Sequence, residues 1–201
     1  MFPEEINSDN FTIFNSISRG PNSWTSDILY NDKKLVIQTP VLPLTFDLNK
    51  YSYPNNNKTK YSITVSLYKH ITGVEILQEV VEGIDKCIQD TINDEIKKGV
   101  TYHNSVHKPI DAKYPHSLRL KMVSNKTRFK CDILLNGKIV SDKIEDVKKL
   151  LVKGVKAKYQ IQLNPIWKAG EKYGVSYQVL AMDIQKHVTI FRNRCQLKKK
   201  A

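Results

Sequence analysis

The chain is poor in several things that would narrow its class. Cysteine occurs three times, as Cys87, Cys131 and Cys195. The number is odd, the spacings are long and no C-x-x-C pair is present, so neither a disulfide framework nor a structural zinc site is indicated, and a reducing compartment is expected. No apolar run approaches the roughly 20 residues that cross a bilayer, and no membrane partner is expected. The opening stretch "MFPEEINSDN" is acidic rather than a basic leader followed by an apolar segment, which points to an intracellular protein. The G-x-x-x-x-G-K-[ST] phosphate loop, the G-x-G-x-x-G turn and the G-x-S-x-G elbow are all missing.

Acidic residues are also in short supply. Lys and Arg number 32 against 20 Asp and Glu, a formal charge of +12. Seven of the acids (Glu75, Glu79, Glu82, Asp85, Asp90, Asp94 and Glu95) fall within residues 73 to 99, leaving a formal +16 on the rest of the chain. That imbalance favours a polyanionic partner.

At 201 residues the chain is long enough for one sizeable core without covalent staples. Residues 1 to 30 carry scattered aromatics and the turn signal "RGPNS", and are expected to form an N-terminal arm with one short strand near "FTIF". "KKLVIQTP" predicts a strand ended by its proline, followed by a polar loop. "KYSITVSLYKH" alternates, with Ile63, Val65 and Leu67 on one face and Ser62, Thr64, Ser66 and Tyr68 on a flat, open one.

Leu77, Val81, Ile84, Ile88, Ile92 and Ile96 recur at helical spacing, predicting a long amphipathic helix over 73 to 98 with Gly99 as its stop. Its acidic outer face should lie away from a bound polyanion. Strands are predicted at "HSLRLKMV" and "FKCDILLNG", a short helix at "KIEDVKKLLVKG", and strands at 155 to 163 and within "GVSYQVLAMDIQKHVTI". In the first of these last two, Val155, Ala157, Tyr159, Ile161 and Leu163 alternate with Lys156, Lys158, Gln160 and Gln162.

This order suits a mainly β protein with helices (α+β): an OB-like, five-stranded antiparallel Greek-key barrel with one long amphipathic helix inserted between strands. A β-sandwich with an inserted helix is the structural alternative. The expected divisions are an arm over 1–30, an OB-like domain over 31–192 and a basic tail over 193–201.

Catalytic and metal-binding patterns are weak. His103 and His107 stand i, i+4, but the adjacent glutamate of a zinc protease and a third ligand are missing and Pro109 follows closely. Asp142, Glu145 and Asp146 read as the acidic start of a short helix, where the helix dipole favours negative charge. No metal, cofactor or catalytic residue is expected, and the chain does not look like an enzyme.

The positive signal is cations interleaved with aromatics on strands and turns. The candidates are Tyr68, Lys69 and His70; Arg119 and Lys121; Lys126, Arg128 and Lys130; Lys156 and Lys158; and Trp167, Lys168, Lys172 and Tyr173. Binding a single strand without reading its sequence needs a cationic path for phosphates and flat π surfaces for bases. Against this, Phe129 and Tyr159 share faces with aliphatic neighbours and read as core, and surface lysines also serve solubility.

"KGVKAKYQIQLNPIWKAGEKYGVSYQVLAMDIQ" resembles the closing hairpin of phage-type single-stranded DNA-binding proteins, with its Gly-led alternating strand, loop and "K-x-G-V-S" strand. "LVIQTPVLPLTFDL", "KYSITVSL", the acidic helix and "YPHSLRLKM" are similar to the DNA-binding proteins of nucleocytoplasmic large DNA viruses, over roughly residues 33 to 190. The resemblance implies an OB-like core that coats single-stranded DNA during viral replication, recombination or repair. It also implies self-association on DNA, viral replication proteins as partners, and a place in the host cytoplasm or nucleus. One departure stands out: many relatives end in an acidic tail, whereas residues 186 to 201 hold six Lys or Arg and no acid. The alternatives are a packaging protein that binds duplex and single strands alike, and an RNA-binding regulator, which the 2′-OH would distinguish.

Overall fold

The computed structural model describes residues 8–52, 59–92 and 99–185. The end of the predicted helix (93–98), the loop at 53–58 and the basic tail lie outside the described residues.

After a 3₁₀ turn at Ser8–Asn10 come β1 (Phe11–Ile13), β2 (Ile17–Gly20), β3 (Ser23–Ser26), β4 (Ile28–Tyr30), β5 (Val36–Pro43), β6 (Asn49–Ser52) and β7 (Thr59–Leu67). Helix α1 (Val74–Thr91) leads to β8 (Thr101–His103), β9 (Val106–His107), β10 (His116–Met122), β11 (Asp132–Leu135) and β12 (Lys138–Ile139). Helix α2 (Ile144–Leu150), β13 (Lys156–Leu163), β14 (Ile166–Ala169), β15 (Lys172–Gly174) and β16 (Tyr177–Gln185) complete the order. The architecture is mainly β, with two helices and three sheets among the described residues.

The largest sheet is organised around β16. One edge of β16 pairs antiparallel with β13; the other pairs parallel with β10 near its start and parallel with β11 further on. Strand β10 pairs with β7, and β13 with β5. The sheet curls until β5 meets β7, joined by the isolated bridge Leu44 to Val65 and by Thr45 N–H donating to Thr64 O at 2.8 Å. That seam is a bridge rather than a ladder.

Alternation decides what this curl encloses. Ile63, Val65, Leu67, Leu118, Leu120, Ala157, Tyr159, Ile161 and Val179 are buried, and helix α1 seals the core with Leu77, Val81, Ile84 and Ile88. Each fully buried Leu, Ile or Val among them stabilises the fold by roughly 1.5–3 kcal/mol relative to exposure.

The predicted end of β5 at its proline is corrected. The strand runs through Pro40 to Pro43, and its register against β13 shifts between Lys158 and Gln160. At this irregularity the Thr39 hydroxyl accepts the Tyr159 N–H at 3.0 Å, a donor left off the backbone ladder. A side-chain oxygen thus stands in for the carbonyl that the register shift carries out of reach.

Candidate nucleic-acid interface

The outer face of β7 and β10 is a lattice of short hydroxylated residues beside long cationic ones. The antiparallel register sets Ser66 opposite Ser117, Thr64 opposite Arg119, and Ser62 opposite Lys121. Small residues on β7 let the β10 cations fold down across the sheet, and Arg119 Nε donates to Ser62 Oγ at 3.0 Å. Ser62 and Ser66 are consequently buried, Ser66 sharing a hydrogen bond with Thr45, so this face is covered and contoured rather than flat. Among the described residues no salt bridge joins Arg119 or Lys121 to a carboxylate. Lys121 is held below the usual lysine range, first by burial around its ammonium end and then by the like charges of Lys60 and Arg119.

Two depressions open on this face, of about 730 and 540 Å³, and both are lined by His103, Asn104, Ser105 and Arg119. The larger reaches Phe46, in the segment after β5, and the smaller reaches Trp167 and Lys121. They form one groove with Arg119 at its middle.

The Trp167 wall belongs to a second sheet, β2-β3-β14-β15-β8. The indole Nε1 donates to Val175 O at 3.2 Å, and the ring lies 5.9 Å from that of His103. A fixed, half-buried indole offers a π surface at little entropic cost.

The 103–105 wall is tied down by helix α1. Asp85 accepts hydrogen bonds from Tyr102 Oη at 2.8 Å, Ser105 N at 2.7 Å and Ser105 Oγ at 2.7 Å. Burial raises its pKa, against the lowering by these donors. The expectation that the acids lie away from the site is therefore corrected: Glu82 and Asp85 both line the larger depression. Their charge is blunted locally, since Glu82 pairs with Lys108 at 2.9 Å and Asp85 is buried.

The candidates identified in the sequence separate into groups. Arg119, Lys121 and Trp167 converge on the groove. Tyr68, Lys69 and His70 follow β7 at the end away from Lys60; the Tyr68 and His70 rings are 5.2 Å apart. Lys126 and Lys130 are exposed on the turn after β10, but Arg128 is paired with Asp142 at 2.8 Å. Lys156 and Lys158 are exposed, as the alternation requires, yet they line neither depression, and Lys158 stands opposite Asp183. Lys172 is exposed and Lys168 half-buried beside Trp24. Tyr173 is corrected to core: it is buried, edge-on to Tyr102 at 5.1 Å, and has no face free for a base.

Lys60, Phe46, His103, Asn104 and Ser105 also line the groove and were not singled out as binding residues. Only the polar, turn-like "HNS" offered a local signal. Among the described residues no cluster of metal-ligating side chains occurs, and no helix is long and apolar enough to cross a membrane.

No protein-family model matches the chain, and no curated protein is similar to it in sequence. Solved structures are similar in fold. The single-stranded DNA-binding protein from bacteriophage Enc34 in complex with ssDNA superposes with a TM-score of 0.53 at 11% identity, covering 86% of this chain and 95% of that one. The protein from the same phage in a second structure gives 0.53 at 12%, covering 86% and 89%. Its C-terminal truncation gives 0.53 at 12%, covering 90% and 97%. At these identities the likeness is one of fold.

Proposed function

We propose that the protein binds single-stranded DNA without reading its sequence, holding the strand along the groove over β7 and β10. The observation that carries this is the pairing of Arg119 and Lys121, neither bridged to a carboxylate among the described residues, with a fixed Trp167 on the same groove. The cations take phosphates and the indole takes a base, the two requirements of sequence-tolerant single-strand binding.

The topology supports an OB-type barrel as the frame. Its pairing order runs β5, β7, β10, β16, β13 and back to the β5 seam, with β10 and β16 parallel. OB folds bind oligonucleotides on the face of their second and third strands and with the loops after the first and fourth. The groove occupies that face, and Phe46 and Trp167 come from those two connections. A fold neighbour solved in complex with ssDNA supports single-stranded DNA as the ligand.

In this role the protein coats exposed strands during replication, recombination or repair of a viral genome, inside the cell and without catalysis. Fluorescence anisotropy with labelled oligo(dT) and a duplex of equal length, across a salt series, tests it. Tight, salt-sensitive preference for the single strand is expected, and equal binding to both would overturn it.

One observation favours packaging instead: Lys156 and Lys158 place cations on a second part of the surface. Packaging predicts that Lys156→Ala/Lys158→Ala weakens binding as much as Arg119→Ala/Lys121→Ala does. Groove binding predicts that the second pair dominates.

A further inference from the structure

The register of the second sheet sets one residue from each of its five strands in a single row. Ile17 lies opposite Thr25, Thr25 opposite Trp167, Trp167 opposite Gly174, and Gly174 opposite His103. Directly paired residues share a face, so this row is one continuous surface. Four strand spacings of about 4.8 Å make it roughly 19 Å long. Its His103 end and its Trp167 centre already line the groove.

The outer end carries binding chemistry of its own. Strand β2 is exposed at every residue, and its register against β3 breaks between Ser18 and Gly20, a bulge that re-aims Arg19. Arg19 Nε donates to Thr25 Oγ1 at 3.0 Å, which draws the guanidinium over the row rather than off the sheet edge. Its two terminal amino groups are left for a bidentate acceptor. Among the described residues no salt bridge joins Arg19 to a carboxylate. Beside it Ile17 is 52% exposed, an apolar platform at the edge of a cationic path.

We infer that the row Ile17–Thr25–Trp167–Gly174–His103, with Arg19 above it, is a second segment of the binding path, which takes single-stranded DNA leaving the groove past Trp167. Arg19 grips a phosphate and Ile17 supports the following sugar or base. This rests on the groove as a single-strand site and extends it onto the N-terminal arm, to which the sequence pointed no binding residue.

An oligo(dT) ladder from about 4 to about 16 nucleotides, the span of site sizes for such folds, tests it with full-length wild type, Arg19→Ala, Arg19→Lys and Ile17→Glu. Short oligomers should bind wild type and Arg19→Ala equally. Longer ones should bind Arg19→Ala several-fold more weakly, with a log–log salt slope smaller by about 0.7, one phosphate contact on a single strand. Arg19→Lys should keep the slope, and Ile17→Glu should lose affinity for long oligomers alone. Unchanged affinity and slope at every length in all three variants, with Trp167 quenching intact, would overturn the extension and leave the groove standing. If wild type binds no oligomer, the groove assignment itself fails and the extension with it.

Discussion

Gly174 lies directly opposite Trp167, and the space above it is already filled. A Cβ there would stand 2.8 Å from the His103 carbonyl oxygen and 3.5 Å from Trp167 Cζ2. The glycine therefore lets β8 and the indole close over the same point of β15. Gly174→Ala should cost roughly 1–3 kcal/mol, since the clash is with backbone and an anchored ring. Urea unfolding measures the loss, and weaker oligo(dT) binding should accompany it.

Trp167 should report on base stacking. In a Trp24→Phe background, adding oligo(dT) is expected to quench the remaining indole emission, whereas charge neutralisation alone would leave it nearly unchanged. Trp167→Ala should weaken binding by ~1 to 3 kcal/mol, the worth of one stacked base.

Arg119→Ala and Lys121→Ala should each reduce the log–log salt slope by about 0.7, or about 1.4 together. Because Arg119 also donates to Ser62, its truncation should cost some stability as well. Lys121→Ala should not, since it relieves repulsion from Lys60 and Arg119. Titrations at a series of salt concentrations, with unfolding midpoints for each variant, separate these outcomes.

Asp85 gives the fold a pH dependence of unusual sign. Burial raises its folded-state pKa above the ordinary value near 3.8, so the folded protein holds this proton more tightly than the unfolded chain. Its contribution to stability is greatest below that ordinary value and declines as pH rises through the raised one. Asp85→Ala abolishes this dependence but leaves the Ser105 N–H without its acceptor, at a cost of roughly 1–3 kcal/mol. Urea midpoints from acid to neutral pH should show the gap between wild type and variant narrowing as pH rises.

Thr39→Val, which keeps the shape and removes the hydroxyl, leaves the Tyr159 N–H unpaired in the core. A loss of about 1–3 kcal/mol in urea unfolding is expected, with Thr39→Ser retaining most of the stability.

Much of the frame was legible because it follows from periodicity. The alternation of 156–163 placed Lys156 and Lys158 outward and Tyr159 and Ile161 inward, and the helical spacing marked Leu77 through Ile88 as core. Position around the curled sheet was not legible. Arg119 and Lys158 both point outward from alternating strands, yet only strand order brings the first into the groove and the second opposite Asp183. The second sheet escaped notice because its strands are three or four residues long, too short for alternation to show, and are gathered from three separated parts of the chain. Tyr173 was misplaced for the same reason: beside a polar turn its neighbours look wet, while its burial comes from Tyr102 on a distant strand. Asp85 read as one more acid on an exposed helix face, since nothing local announces three donors from residues 102 and 105.

The ladder between β5 and β13 joins residues about as far apart in the chain as Thr39 and Tyr159, which are separated by 120 positions. Until β13 has left the ribosome, β5 has no ladder partner. The first half of the molecule therefore waits with open strand edges until residues 156–163 are made. Such long-range pairing slows folding and leaves unpaired strand edges open to aggregation in the meantime.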